Sequence, residues 1–188
     1  MIYLASQSPR RKDLLREHGW KFRVVPSMYK EEPFRGVSGE QTAVRHALGK
    51  CLGAAGKFKR GFILGADTLI SFRGRVIGKP RNRAEGRRML SGFSGATHTV
   101  ITAVAVADLA KGTIHLLMDK SNVTFRKLNG EAIDRYLDTG EYADKAGAYG
   151  YQEIGRALVK SVKGSESNVI GLPMTKLNRL LRRLNSRA

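Results

Sequence analysis

The chain has 188 residues, long enough to bury one good hydrophobic core, and a single domain is expected. No window of about eighteen apolar residues is present, which argues against a membrane-spanning helix; the single Cys51 excludes an internal disulfide and a multi-cysteine zinc site, and the opening MIYLASQSPRRK lacks the pattern of a signal peptide, so a reducing cytoplasm is expected. The balance of 34 Lys and Arg against 16 Asp and Glu gives a net charge of +18, which favours polyanionic partners (nucleic acid, a membrane surface or phosphorylated small molecules) or else is charge spread for solubility.

Ile2 to Ala5 reads as a short strand, followed by a polar loop. Ser8 is a good N-cap and Pro9 fits the first helical position, so a helix is predicted to about His18, stopped by Gly19. Its start carries Ser6, Ser8, Arg10 and Arg11. Free N–H groups and the helix dipole favour an anion there, and arginine adds bidentate donors, so this is a candidate phosphate site; a plain cap with surface arginines is the alternative. Phe22 to Val25 reads as a second strand, ended by Pro26, and the loop from Ser27 to Gly36 contains Glu31 and Glu32. Ser38 and Gln41 form a capping-box pattern. The helix they open is predicted to about Ala55, with Ala43, Ala47, Leu48, Cys51 and Leu52 as its buried stripe. Lys50 falls at the edge of that stripe, half-buried toward a cleft or simply snorkelling.

The stretch RGFILGADTLISFRGRVIGKP organises the rest. Phe62 to Leu64 is an apolar run typical of a buried strand, and Gly65-Ala66 lets the backbone pass close to a neighbour. Asp67 and Thr68 are placed at that strand's end, before a second run, Leu69 to Phe72. Arg73-Gly74-Arg75 reads as a hairpin turn whose return strand, Val76-Ile77, leads to Gly78-Lys79-Pro80. One hairpin thus presents an acid and a lysine to one cleft, or an acidic loop residue and a solvated lysine.

Asn82 and Glu85 frame a helix to about Leu90, and Ser91 to Gly95 reads as a loop. Thr97 to Ala107 is rich in β-formers and turns back at Lys111-Gly112 into Thr113 to Met118 and Asn122 to Arg126, a long antiparallel pair. Asn129 caps a helix over Glu131 to Asp138, closed by Gly140. The segment GEYADKAGAYGYQEIG has no clear period; its glycines with Lys145, Tyr149 and Gln152 suggest a ligand-facing loop or a Gly-rich connector. Ala157 to Val162 reads as a strand, Gly164 to Asn168 as a loop, and Pro173 opens a last helix with Leu177, Leu180, Leu181 and Leu184 on one face. Alternating strands and helices with an antiparallel hairpin between them predict an α/β fold with a mixed sheet.

LASQSPRR, Lys50 on its helix, GADT, GKP, SGATHTVITAV, GEYADKAGAYGYQ and GSESNVIGLP occur in this order over nearly the whole chain. Together they closely resemble the Maf family of nucleoside triphosphate pyrophosphatases. The resemblance implies an elongated mixed β-sheet with flanking helices, two lobes around a cleft, and a fold like the inosine-triphosphate pyrophosphatases, often as a homodimer. It implies Mg²⁺- or Mn²⁺-dependent cleavage of a nucleoside triphosphate to monophosphate and pyrophosphate. From the residues themselves, no specific nucleic-acid or membrane partner is expected, since no recognised DNA-binding pattern or long apolar window is present and Glu31 and Asp67 would not serve a phosphate groove.

Carried over residue by residue, Asp67 matches the family's catalytic aspartate and a metal ligand. Ser6 and Arg11 match its triphosphate loop, and Lys50 and Lys79 its phosphate-binding lysines. Glu31 aligns with its metal-side acid, where Lys30-Glu31-Glu32 replaces the usual Asp-Glu, leaving Glu32 as an alternative. Arg10, Thr68 and Gln152 match the subgroup preferring dTTP and UTP, with modified pyrimidine nucleotides as further candidates; Glu153 departs from the family's usual Gly. The competing expectations are a 7-methyl-GTP-type pyrophosphatase, whose subgroup usually has tryptophan at the Arg10 position, and a basic nucleic-acid-binding or septum-regulating protein without catalysis.

Overall fold

The computed structural model describes residues 1–31, 36–56, 58–152 and 154–186. Its strands are β1 (Ile2–Leu4), β2 (Phe22–Val24), β3 (Phe62–Phe72), β4 (Arg75–Ile77), β5 (Thr97–Asp108), β6 (Thr113–Phe125) and β7 (Val159–Lys163). They form one mixed sheet in the order β2-β1-β3-β5-β6-β7, with β4 paired to β3. β1 runs parallel to β2 and β3, whereas the β3–β4 and β6–β7 pairs are antiparallel. The helices are α1 (Pro9–Glu17), α2 (Gly39–Ala55), α3 (Arg83–Phe93), α4 (Gly130–Asp138), α5 (Glu166–Ile170) and α6 (Met174–Asn185). The fold is therefore mixed α/β, and no helix among the described residues is long and apolar enough to cross a membrane.

Local chemistry sets the helix starts as expected. Ser8, Ser38, Asn82 and Asn129 each accept a hydrogen bond from the backbone N–H three residues on. Each such cap contributes about 1 kcal/mol. The Ser38–Gln41 capping box is complete.

The chain divides into two compact units. The first comprises Met1–Thr68, Thr102–Asp119 and Gly171–Ala188. Its core gathers Leu4, Leu15, Ala47, Cys51, Leu64, Val104 and Leu177, all fully shielded from solvent. β3 is buried without interruption from Phe62 to Asp67. Gly65 is the point of close approach: a Cβ there would lie 2.4 Å from the Ala47 carbonyl oxygen and 2.5 Å from the Cys51 nitrogen. The neighbour anticipated at Gly65-Ala66 is thus the α2 backbone. The second unit comprises Leu69–Ile101 and Lys120–Ile170. Leu90, Phe93, Val123, Phe125, Ile133, Tyr136 and Leu137 anchor its core.

Some elements differ from the sequence reading. The two apolar runs around Asp67-Thr68 are one strand, so this pair sits inside β3; the turn itself falls where expected, at Arg73 (φ 50°) and Gly74 (φ 75°). Their positive φ angles match the right-handed strand twist of a tight hairpin. Leu52 is 50% exposed; the packed side of α2 carries Thr42, Ala43, His46, Ala47, Cys51 and Ala54. Residues 91–93, read as loop, extend α3 and bury Phe93. Residues 166–168, the end of the segment read as loop, instead lie in α5, where buried Asn168 donates from Nδ2 to the Val100 carbonyl (3.2 Å) and to Ser121 Oγ (3.0 Å). β7 begins at Val159 because residues 154–158 coil into a tight helical turn.

Candidate active site

In the first unit, the β1–α1 loop and the start of α1 build a cationic wall. Arg11 is half-buried. Its Nη1 donates to Ser6 Oγ (3.1 Å), its Nη2 to Thr68 Oγ1 (3.1 Å) and its Nε to the Gly171 carbonyl (3.1 Å). Those bonds use three of the guanidinium's five N–H donors, none of them on a carboxylate. Burial pushes the Arg11 pKa down from its ordinary value, the negative charges of Asp67 and Glu31 oppose that, and Arg10 adds to it. A shielded cation with donors to spare is suited to an anion. Arg10, the next residue toward the helix start, is also half-buried.

Thr68 couples this wall to the sheet. Its hydroxyl lies 3.0 Å from that of Thr102, which is fully buried. Because Arg11 only donates, the Thr68 proton is available to Thr102.

On the neighbouring helix, Lys50 Nζ stands 2.6 Å from Asp67 Oδ1 and 2.6 Å from Glu31 Oε1. Asp67 is buried inside β3, and its Oδ2 has no hydrogen-bond partner among the described residues. Two carboxylates share one ammonium, so the trio carries a net negative charge, and one of the three Lys50 donors remains unused. The pairing exists because the glycine contact at Gly65 seats α2 directly on β3.

These oxygens bear on the divalent cation that the resemblance implies. An orphaned buried carboxylate oxygen beside a second carboxylate is a hard-donor arrangement that fits Mg²⁺ or Mn²⁺. Among the described residues no cluster of three or more His, Cys, Asp or Glu is poised to hold a metal. The donor set therefore suits an ion that keeps waters and shares substrate phosphates, as Mg²⁺ does.

Lys79 and Gln152 lie in the second unit. Lys79 is exposed just after β4. The preceding Gly78 carbonyl accepts from Gly147 N–H at 2.9 Å, which fastens the GKP segment to the KAGAYGYQ segment. Gly147 has φ 68°, and a Cβ there would lie 2.7 Å from Ile70 Cδ1, so glycine is required for this join. Gln152 is exposed in the same segment, three residues after Tyr149, whose hydroxyl lies 2.8 Å from buried His98 Nε2. Glu32 and Glu153 lie outside the described residues.

Ser6, Arg11, Glu31, Lys50, Asp67 and Thr68 are thus brought together in one unit, with Lys79 and Gln152 on the other. Sequence reasoning gave no role to Thr102, to Gly171 or to His98. Gly171 has φ 137°, and a Cβ there would lie 3.4 Å from Arg11 Nε. A glycine just ahead of a helix-opening proline was the available signal for it.

A family model described as Maf-like protein matches residues 1–184. The chain is 42% identical over 180 residues to the dTTP/UTP pyrophosphatase of Moorella thermoacetica, covering 96% of this chain and 93% of that one. It is 40% identical over 184 residues to the dTTP/UTP pyrophosphatase of Dictyoglomus thermophilum (97% and 95%). It is 38% identical over 183 residues to that of Methanosarcina barkeri (97% and 93%).

Proposed function

The chain belongs to the Maf-like protein family, and from that premise we propose that it is a nucleoside triphosphate pyrophosphatase acting on dTTP and UTP. The relatives named above support the substrate class. The observation that carries the chemistry is the buried Asp67, with one oxygen on Lys50 and the other unpartnered among the described residues.

In this reading a water oxygen attacks the α-phosphorus. The bond from that phosphorus to the oxygen bridging it to the β-phosphorus breaks, and pyrophosphate leaves with the bridging oxygen. Asp67 Oδ2 orients the water and takes its proton. Arg11 and Lys50 offer their unused donors to phosphate oxygens, Ser6 shapes the loop around them, and Lys79 adds a further cation. Such fixed donors stabilise charge that grows during phosphoryl transfer. A divalent cation, Mg²⁺ or Mn²⁺, held by Asp67 and Glu31 would supply phosphate charge neutralisation.

Arg10, Thr68 and Gln152 select the base. A primary amide carries a donor and an acceptor side by side, which matches the O4/N3–H edge of thymine or uracil. The proposal further comprises one Maf-type domain over the whole chain, a homodimer and a cytoplasmic setting. The lone thiol, Cys51, is buried and suits a reducing compartment.

A panel of dTTP, UTP, ATP, GTP and 7-methyl-GTP with Mg²⁺ tests the reading for wild type and Gln152→Ala. dTTP and UTP should have the highest kcat/KM, and Gln152→Ala should lower those two while leaving weak purine turnover nearly unchanged. A preference for 7-methyl-GTP, or equal losses for all five, would contradict base selection by Gln152.

A further inference from the structure

We propose that Tyr29 and His46 form a clamp that sets the position of Glu31, making both of them positioning residues. The proposal rests on the reading that Glu31 serves the metal side of the site.

His46, Gly49, Lys50 and Gly53 fall at i, i+3, i+4 and i+7 of α2, on one face of the helix. Lys50 on that face bonds Glu31 and Asp67. The two glycines on it open the helix backbone to the segment that carries Glu31. A Cβ at Gly49 would lie 2.3 Å from Tyr29 Cε2 and 2.6 Å from its Cζ, so the phenol ring rests where any other side chain would stand. A Cβ at Gly53 would lie 2.6 Å from Ser27 Oγ and 2.9 Å from the Tyr29 nitrogen.

Polar bonds fix the seat. Tyr29 Oη lies 2.9 Å from Nδ1 of His46, a buried residue. The Met28 N–H donates to the Gly53 carbonyl at 3.1 Å, and the Tyr29 N–H to Ser27 Oγ at 3.2 Å. Glu31 follows two residues later, with a side chain that is 57% exposed. Burial does not hold so open a carboxylate. The Lys50 bond and the backbone anchor at Tyr29 do, and Gly49 and Lys50 are adjacent on the helix, so seat and ion pair share one register. A ligand held in place before the cation arrives binds it without a further ordering cost.

The test is Mn²⁺ binding to the nucleotide-free protein, read by the paramagnetic signal of free Mn²⁺, together with thermal melting. Tyr29→Phe keeps the ring in its groove and removes only the hydroxyl. It should weaken Mn²⁺ binding by about tenfold, the scale of losses when an outer-shell partner is removed, with a melting temperature lowered by only a few degrees for the lost hydrogen bond. His46→Leu should do the same, and His46→Gln, which restores a polar partner for the phenol, should recover most of the affinity. Glu31→Gln should weaken binding at least as much, and Tyr29→Phe added to it should cost nothing more, because both act through one carboxylate. If Glu31→Gln weakens binding but Tyr29→Phe and His46→Leu do not, the clamp is wrong and the metal-side reading stands. If Glu31→Gln itself leaves Mn²⁺ binding intact, the metal-side reading falls and the clamp with it.

Discussion

A buried carboxylate is costly unless its charge is matched, and at Asp67 the match is partial. Lys50 satisfies one oxygen but is shared with Glu31. The other oxygen is buried without a hydrogen bond from any described residue. That arrangement makes little sense as a stabilising ion pair and good sense as a prepared base or ligand. Asp67→Asn keeps the shape and removes the charge. The fold should survive, judged by melting, while kcat for dTTP should fall by roughly 10²–10⁴, the usual weight of a positioned proton acceptor. Retention of near-wild-type turnover by folded Asp67→Asn would show that the chemistry lies elsewhere.

At the scale of elements, β5 carries a titration into the second unit. His98 is buried, stacks on Phe93 (ring centroids 4.5 Å apart) and meets the Tyr149 hydroxyl. Burial pushes its pKa down from 6.5 to about 4. The unfolded chain therefore takes up this proton first as the pH falls. The stability due to neutral His98 is complete above 6.5 and is lost as the pH falls through the window to about 4. Urea unfolding of the wild type should lose on the order of 1 kcal/mol per pH unit across that window. His98→Gln should show a flatter profile there; an equal slope would assign the acid sensitivity to other groups. The elements themselves were largely legible in the sequence. Ser8-Pro9, Ser38 with Gln41, Asn82 and Asn129 announce their helices by local hydrogen bonding, and Leu177, Leu180, Leu181 and Leu184 announce the buried face of α6. What was not legible depends on packing across the chain. Asp67 and Thr68 looked like a strand end because polar residues usually mark one, but α2 lies over β3 and the strand continues. Leu52 looked buried by type, yet the close contact at Gly65 fixes which side of α2 faces inward. The glycines at 49 and 53 carried a spacing that signals close approach, but nothing in sequence said that Tyr29 fills it.

At the scale of the molecule, the basic excess is only partly absorbed. Arg83 and Arg87 pair with Asp134, and Lys176 pairs with Asp119, yet cations outnumber acids by 34 to 16. Such a field draws in polyanions and raises their encounter rate. A groove for nucleic-acid phosphates would gain nothing from Asp67 and Glu31, whereas a site that hydrolyses a triphosphate uses carboxylates and cations together. The central claim is attack at the α-phosphorus. Hydrolysis of dTTP in water enriched in heavy oxygen, with mass analysis of both products, tests it most directly. Label is expected in the thymidine monophosphate, with unlabelled pyrophosphate; label in the pyrophosphate, or release of orthophosphate with a nucleoside diphosphate, would contradict attack at the α-phosphorus.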